Sequence, residues 1–473
     1  MREILHFFIQ RFLRLIGGLM VFTSISLLVF MLLVDLIAGI TNPYLGIITY
    51  MILPTILGIG LILVPLDSFL RRRRIAAGRP DEPFCLTINF CEPRQRNLAY
   101  FFGIASMFIL VIATIATYKA IEFMDTITFC GLTCHRIMRP EHAAFVRSPH
   151  AGGSCVECHI GPGAPWFVKA KLTGIPQVIH YTLRSYERPV PTPVAALRPS
   201  RDTCENCHWP EQFYGNSLRT DISYLPDRNN TIRRRTMIMK VGSGAEKGAN
   251  IHSHIVQKIW YLPANSKRTD IAWVRVKRVD GTTAEYVNPE HRDELAVIKK
   301  KLETRFMDCI DCHNRAAHRF DSFERMVDSA MTQGELDRTI PYLKREAIAV
   351  VPKLDRAPTD AEYAKALRKL SEIPSAYQKK YPEVYQARGK DIAKAAGTLR
   401  KLYQDSEFPH MRISDATYPN WATHEGCFRC HGVLVKQSGA AKETVGRDCL
   451  LCHTVPETST GMETTKQILE QIR

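Results

Sequence analysis

The stretch SPHAGGSCVECHIGPGA, residues 148–164, decides how the chain is read. Within it Cys155, Cys158 and His159 form the string C-x-x-C-H. Two thiols and an imidazole so placed are the attachment signature of c-type haem: the thiols form thioethers with the vinyl groups and the histidine ligates the iron on its proximal side. The pattern recurs on either side of this stretch. CENCH supplies Cys204, Cys207 and His208; CIDCH supplies Cys309, Cys312 and His313; CFRCH supplies Cys427, Cys430 and His431; CLLCH supplies Cys449, Cys452 and His453. A sixth string, CGLTCH, carries Cys130, Cys134 and His135 with one extra residue between the thiols. That insertion leaves two readings open, attachment through both cysteines in a widened loop or through one of them.

Twelve of the 14 cysteines fall in these six pairs, and a histidine follows every pair at once. Zinc knuckles use paired cysteines too, but tetrahedral zinc does not call for a histidine directly after each second thiol. Structural disulfides would not favour six such short loops. The expected cofactor set is therefore six covalently bound haem c. Cys85 and Cys91 stand apart from the motifs and read as reduced thiols without a cofactor. The formal charge of +16 suits nucleic acid, anionic lipid or an anionic cofactor equally. Two propionates on each haem account for part of it, and no nucleic-acid partner is inferred.

In 473 residues there is room for two or three folded units, and the apolar residues concentrate in the first quarter. Residues 16–40, 44–66 and 98–118 are each apolar and long enough for a bilayer, with Pro54 interrupting the second. Arg2, Arg11 and Arg14 precede the first span, and Arg71–Arg74, Arg79, Arg94 and Arg96 fall between the second and third. By the positive-inside bias, the N-terminus and the loop 67–97 are cytoplasmic. An odd number of crossings then puts everything after Lys119 in the periplasm of a bacterial cell, tethered to the inner membrane.

The fold expected is a membrane-anchored multihaem cytochrome c. Three transmembrane helices (residues 1–120) precede a mainly α and loop periplasmic domain with a small antiparallel β insertion. Residues 121–320 hold four motifs, and TMIMKV, IVQKIWYL, IAWVRVKRV and AEYV read as strands of an insertion at about 231–287, with Asp280-Gly281 as a hairpin turn. Residues 321–405 read as a helical spacer with Thr359 or Asp360 as an N-cap, and residues 406–473 as a C-terminal dihaem segment. Long apolar runs are few, so the macrocycles themselves are expected to fill much of the buried interior.

Ten histidines lie outside the motifs. An electron-transfer haem takes a second protein ligand, and the candidates are His150, His252, His254, His318, His410 and His424, with Met138 as a thioether close to the first motif. His252 and His254, two apart, would share one strand face, so that only one of them need be a ligand. After the second motif, GPGAPWF leads to Lys169 and Lys171, an amphipathic stretch suited to the membrane surface, where a quinol head group approaches.

The strings TCHRIMRPEH, SPHAGGSCVECHIGPGA, DTCENCHWP and MDCIDCHNRAAH, in that order, resemble the NapC/NirT/NrfH family of membrane-anchored tetrahaem quinol dehydrogenases, and more closely its long ImcH-like members. The resemblance spans roughly residues 120–320 and continues more weakly through GCFRCHG. It implies quinol oxidation beside the first haem and electron transfer through the others to a periplasmic cytochrome or reductase. His318 matches the histidine after the family's fourth motif that ligates another haem distally. Met138 resembles the methionine after the first motif, displaced by one residue. Lys169 or Lys171 resembles the lysine of the quinol pocket, whose usual acidic companion has no evident counterpart nearby. Two further classes compete: a relay or anchor subunit without a quinol site, and a periplasmic reductase of nitrogen oxyanions, which needs one haem with an open face.

Overall fold

The computed structural model describes residues 16–31, 52–76, 90–133, 135–161, 163–194, 198–209, 215–242, 250–278, 280–437, 443–454 and 457–460. Two compact units emerge, Met1–Thr126 with Gly161–Gly174, and Ile127–Ile160 with Ile175–Arg473. Cys85 and the segments 32–51 and 461–473 lie outside the described residues.

The first unit contains helices α1 (Ile16–Met31), α2 (Leu53–Ala76) and α3 (Pro93–Met124). Two of them, α2 and α3, are long and apolar enough to cross a membrane. Both outrun the spans expected from hydropathy. Helix α2 continues past Leu66 through the arginines, which are good helix formers, and α3 extends beyond 98–118 at both ends. The expected cytoplasmic loop is thus helical at both its edges. Pro54 is the second residue of α2, and Pro65 lies in its interior. Helices α1 and α2 meet through glycines, since a Cβ on Gly60 would stand 2.9 Å from both the Gly17 carbonyl and the Val21 Cγ2. Small residues at such a crossing let two apolar helices approach closely in lipid.

The second unit carries the cysteine motifs. Its early helices are α4 (His135–Phe145) and α5 (Cys155–His159); α6 (Ala164–Thr182) begins in the first unit, and α7 (Ser200–Cys204) follows. The strands begin sooner than expected, at β1 (Ser217–Tyr224), and form two sheets. One pairs β1, β2 (Ile232–Met239) and β8 (Glu457–Thr460). The other has the order β6-β3-β4-β5-β7, built from β3 (Lys258–Pro263), β4 (Ile271–Lys277), β5 (Thr283–Val287), β6 (Arg305–Phe306) and β7 (Val435–Lys436). Each sheet therefore takes a strand from the C-terminal segment. Asp280-Gly281 does turn β4 into β5, with Gly281 at φ 84°. KIWYLP has both faces covered: Ile259 and Tyr261 pack with Leu434, while Leu262 packs with Val287 and Ile298 of helix α9 (Leu295–Lys301). IVQ, the start of the string read as this strand, falls instead at helix α8 (Ser253–Val256) and its C-cap.

The expected spacer is a core in its own right. Helix α10 (Phe323–Gln333) buries Phe323, Met326, Val327, Ala330 and Met331, the i, i+3, i+4, i+7, i+8 stripe of an amphipathic helix. It starts at Ser322, whose hydroxyl accepts from the Arg325 amide, and stops at Gly334 in the left-handed region. Helices α11 (Leu343–Ala349), α12 (Asp360–Ser371), α13 (Ile373–Lys380) and α14 (Pro382–Ser406) close over that stripe with Leu343, Leu370, Tyr377, Ile392 and Leu399. Thr359 is the N-cap of α12, in a reciprocal box with Glu362. Protein side chains, not macrocycles, fill this interior.

A buried ion pair ties the sheet to the helices. Lys344, 2% exposed, donates from Nζ to the Tyr224 carbonyl at 2.7 Å and to Asp328 Oδ1 at 2.7 Å, with Glu324 at 3.1 Å. Lys344→Met leaves Asp328 buried without its cation, at a cost of about 3–5 kcal/mol. Hydrogen exchange of the α10 and α11 peptides should show correspondingly lower protection. Glu407, just past α14, has a buried oxygen without a partner, and burial together with Asp415 pushes its carboxyl up to about 8 from an ordinary 4.5. The folded chain then holds a proton that the unfolded chain has already lost, so stability should fall as pH rises from 4.5 to about 8 and level off above. Unfolding of Glu407→Gln, compared with the native chain at pH 5 and pH 8, should show a shallower dependence.

Candidate haem sites

Each regular motif is a short helical turn. The histidine amide returns to the carbonyl of the first cysteine, His208 to Cys204 at 2.8 Å, His313 to Cys309 at 2.8 Å, His431 to Cys427 at 3.0 Å and His453 to Cys449 at 3.2 Å, and Cys155–His159 is an α-helical turn. Caps start three of the turns: Ser154 boxes with Glu157, Asp308 boxes with Asp311, and Asp448 accepts from the Leu450 amide. At the first motif the extra residue falls in a π-helix, Phe129–Thr133, whose wider turn accommodates one more residue than an α turn.

The variable residues of the motifs lock neighbouring turns together. The Tyr261 hydroxyl of β3 donates to Asp311 Oδ1 at 2.6 Å, and burial beside that carboxylate pushes the phenol up. Arg429, inside the fifth motif, donates to the Asp311 carbonyl at 2.6 Å and the Arg268 carbonyl at 2.8 Å.

Five motif histidines face a second imidazole. The ring centroids are 6.1 Å apart for His159 and His318, 6.1 Å for His208 and His150, 6.3 Å for His313 and His252, 5.9 Å for His431 and His254, and 5.8 Å for His453 and His424. Two imidazoles bound trans to one metal ion at about 2 Å would stand about 6 Å apart by centroid. Two protein donors per site suit a macrocycle that fills the other four positions, whereas zinc needs four from the protein. Five of these rings have Nδ1 on a backbone carbonyl: His254 on Ile251 at 2.7 Å, His431 on Gly446 at 2.6 Å, His453 on Thr454 at 2.6 Å, His318 on Glu141 at 3.1 Å, and His252 on Val241. A carbonyl only accepts, so Nδ1 carries the proton and Nε2 is the nitrogen that can ligate a metal. Burial holds His159, His254, His313 and His318 below the ordinary histidine value, in the neutral form that ligates.

The motifs also neighbour one another in chain order. Cys155 lies within hydrogen-bonding reach of Cys130, and Cys204 of Cys309. Cys158 is within electrostatic range of Cys204 and Cys207, Cys312 of Cys427, and Cys427 of Cys452.

Of the other residues singled out by sequence, His252 and His254 flank and enter a helical turn rather than sharing a strand face, and they meet different motifs. His410 stands instead 3.4 Å from the Tyr186 hydroxyl. Lys169 Nζ lies 4.6 Å from the Trp166 ring centroid in the first unit, and Met138 is half-buried in α4 of the second. Cys134 and the side chains of His135 and Lys171 lie outside the described residues. Sequence reasoning passed over His142, whose ring covers the first motif: a Cβ on Gly131 would stand 2.3 Å from its Cδ2. Its position seven residues after His135, two turns on along the same helix, was the available signal.

Repeated attachment turns, opposed by a second set of imidazoles, define a multihaem c-type cytochrome. The chain is 38% identical over 449 residues to the cytochrome c-type protein ImcH of Geobacter sulfurreducens, covering 93% of this chain and 86% of that protein. It belongs to the ImcH-like c-type cytochromes, electron-transfer proteins that hold haem c covalently. No protein-family model and no solved structure matches it. Gly131→Ala pushes a methyl into the His142 ring, an overpacking worth about 1–3 kcal/mol. Mass spectrometry of the mature chain should find haem missing from the peptide around Cys130 and retained at the other motifs.

Proposed function

We propose that the chain is an inner-membrane quinol dehydrogenase of the NapC/NirT/NrfH kind. It would carry six haems and deliver electrons from menaquinol to a periplasmic cytochrome or reductase in anaerobic respiration. The observation that carries this reading is that each motif neighbours the next, first to second through fifth to sixth, with an opposed imidazole at every motif after the first.

Bound haem supplies reversible one-electron chemistry at its iron. The residues assigned to hold it are the paired cysteines with His135, His159, His208, His313, His431 and His453 on one side. Opposite the last five stand His318, His150, His252, His254 and His424, respectively. Two imidazoles at each of these five sites would close both faces of a bound haem, which suits electron transfer and would leave no open face for an oxyanion. The first site differs, with Met138 and His142 on the helix that opens at His135, and it is the one assigned to the quinol end. Lys169, held against Trp166, and Lys171 are assigned to the quinol head group, where a cation favours release of the hydroxyl protons. Periplasmic placement of the second unit rests on the arginine bias around the spans.

The test is reduction of the detergent-purified protein by a menaquinol analogue, followed at the haem α-band. Inhibitor-sensitive reduction is expected, and Lys169→Ala should slow it roughly tenfold, about 1.4 kcal/mol in barrier, with dithionite reduction unchanged. Haems that dithionite reduces and quinol does not would instead make the chain a relay fed by a partner dehydrogenase.

A further inference from the structure

His318 differs from four other imidazoles of the opposed pairs. For His252, His254, His431 and His453 the Nδ1 partner is a backbone carbonyl. For His318 the same residue offers both groups: Nδ1 donates to the Glu141 carbonyl at 3.1 Å, and the Glu141 Oε2 carboxylate oxygen stands 3.4 Å from it. That oxygen is buried and has no hydrogen-bond partner of its own. Arg315, half-buried, balances the charge from 3.9 Å on the other oxygen and is itself stacked over Tyr418 at 3.9 Å. A buried carboxylate oxygen with no hydrogen bond is costly, so its position against a ligand histidine calls for a reason.

We propose that Glu141 is a positioning residue for the second haem site: its carbonyl fixes the tautomer and angle of His318, and its carboxylate strengthens that imidazole as an iron ligand. Negative charge behind an axial histidine favours the oxidised metal, so the site at Cys155 and Cys158 would have a lower midpoint potential than a carbonyl alone would give. Glu141 belongs to α4, the helix that opens at His135 of the first motif, so one helix carries a ligand of one site and tunes a ligand of the next. This inference rests on the proposed ligation of that site by His159 and His318.

The experiment is a redox titration of the full-length protein in detergent, read from its low-spin ferric signals in electron paramagnetic resonance. His318→Ala identifies the signal of the second site by abolishing it. Glu141→Gln keeps the carbonyl and removes the charge. At the wild-type midpoint of that signal, the ratio of reduced to oxidised haem should rise about tenfold, or about 59 mV for a one-electron couple, with the other signals unmoved. If His318→Ala removes one signal and Glu141→Gln leaves its midpoint in place, the tuning role is overturned while the ligation stands. If His318→Ala removes no low-spin signal, the ligation itself fails and this inference with it. Should Glu141→Gln not mature, Glu141→Asp withdraws the carboxylate by one methylene and should shift the same signal upward by less; an unmoved midpoint there overturns the proposal equally.

Discussion

The constraint on which the second unit depends is the meeting of two imidazoles across a gap of 5.8–6.3 Å. Only one member of each pair is local to its motif's helical turn. His318 must come back from beyond the fourth motif to reach the second, His150 must reach forward from between the first two to the third, and His424, from just before the fifth, serves the sixth. Every such pairing closes a long loop, whose entropy cost grows only slowly with length, so pairings across a whole domain remain affordable. What they demand is a frame stiff enough to hold each ring at its angle.

The sheets and caps supply that frame. Tyr261 in β3 holds Asp311 of the fourth motif, and Arg429 of the fifth motif grips the Asp311 carbonyl from the other side. The residues between the cysteines, which the attachment signature leaves free, therefore join one site to the next. Aromatic faces do similar work where no carboxylate is at hand: Arg429 stacks on Trp421 at 3.9 Å, and Arg447 stacks on Phe428 at 4.0 Å.

Chemistry that depends on local spacing could be read from the chain, and chemistry that depends on pairing could not. C-x-x-C-H encodes its own helical turn, so the grouping of two thiols with a histidine on one turn was legible. The opposed histidines were plain as candidates, but nothing in IHSHI says that one ring meets the fourth motif and its neighbour the fifth. The strand reading failed there, because the two rings sit on the N-cap and the first turn of a short helix. SLRTDISY was missed as a strand because its burial is slight and its pattern polar, with seven of its eight residues exposed or half-buried. His142 was missed because the insertion in CGLTCH drew attention to the thiols, whereas the structural consequence was a glycine beneath an imidazole.

The helical segment 321–405 explains why an extended member of this class need not depend on macrocycles for all its interior. Its buried residues, Leu336, Ile340, Leu370, Tyr377 and Leu399 among them, pack against Tyr224 of β1. The sheet of β1 pairs in turn with β8, the strand that follows the sixth motif. A core of side chains therefore sits at one end of a run of contacts that ends at the last attachment turn. On the other side, Lys240 just past β2 donates to the Leu450 carbonyl within that turn at 2.6 Å. The last motif is anchored by strand pairing and by a side chain from the insertion, both of them contacts between protein groups. Its thiols and histidine are consequently held near their working positions by the polypeptide, and the segment that looked like a passive spacer is what fixes the end of the line.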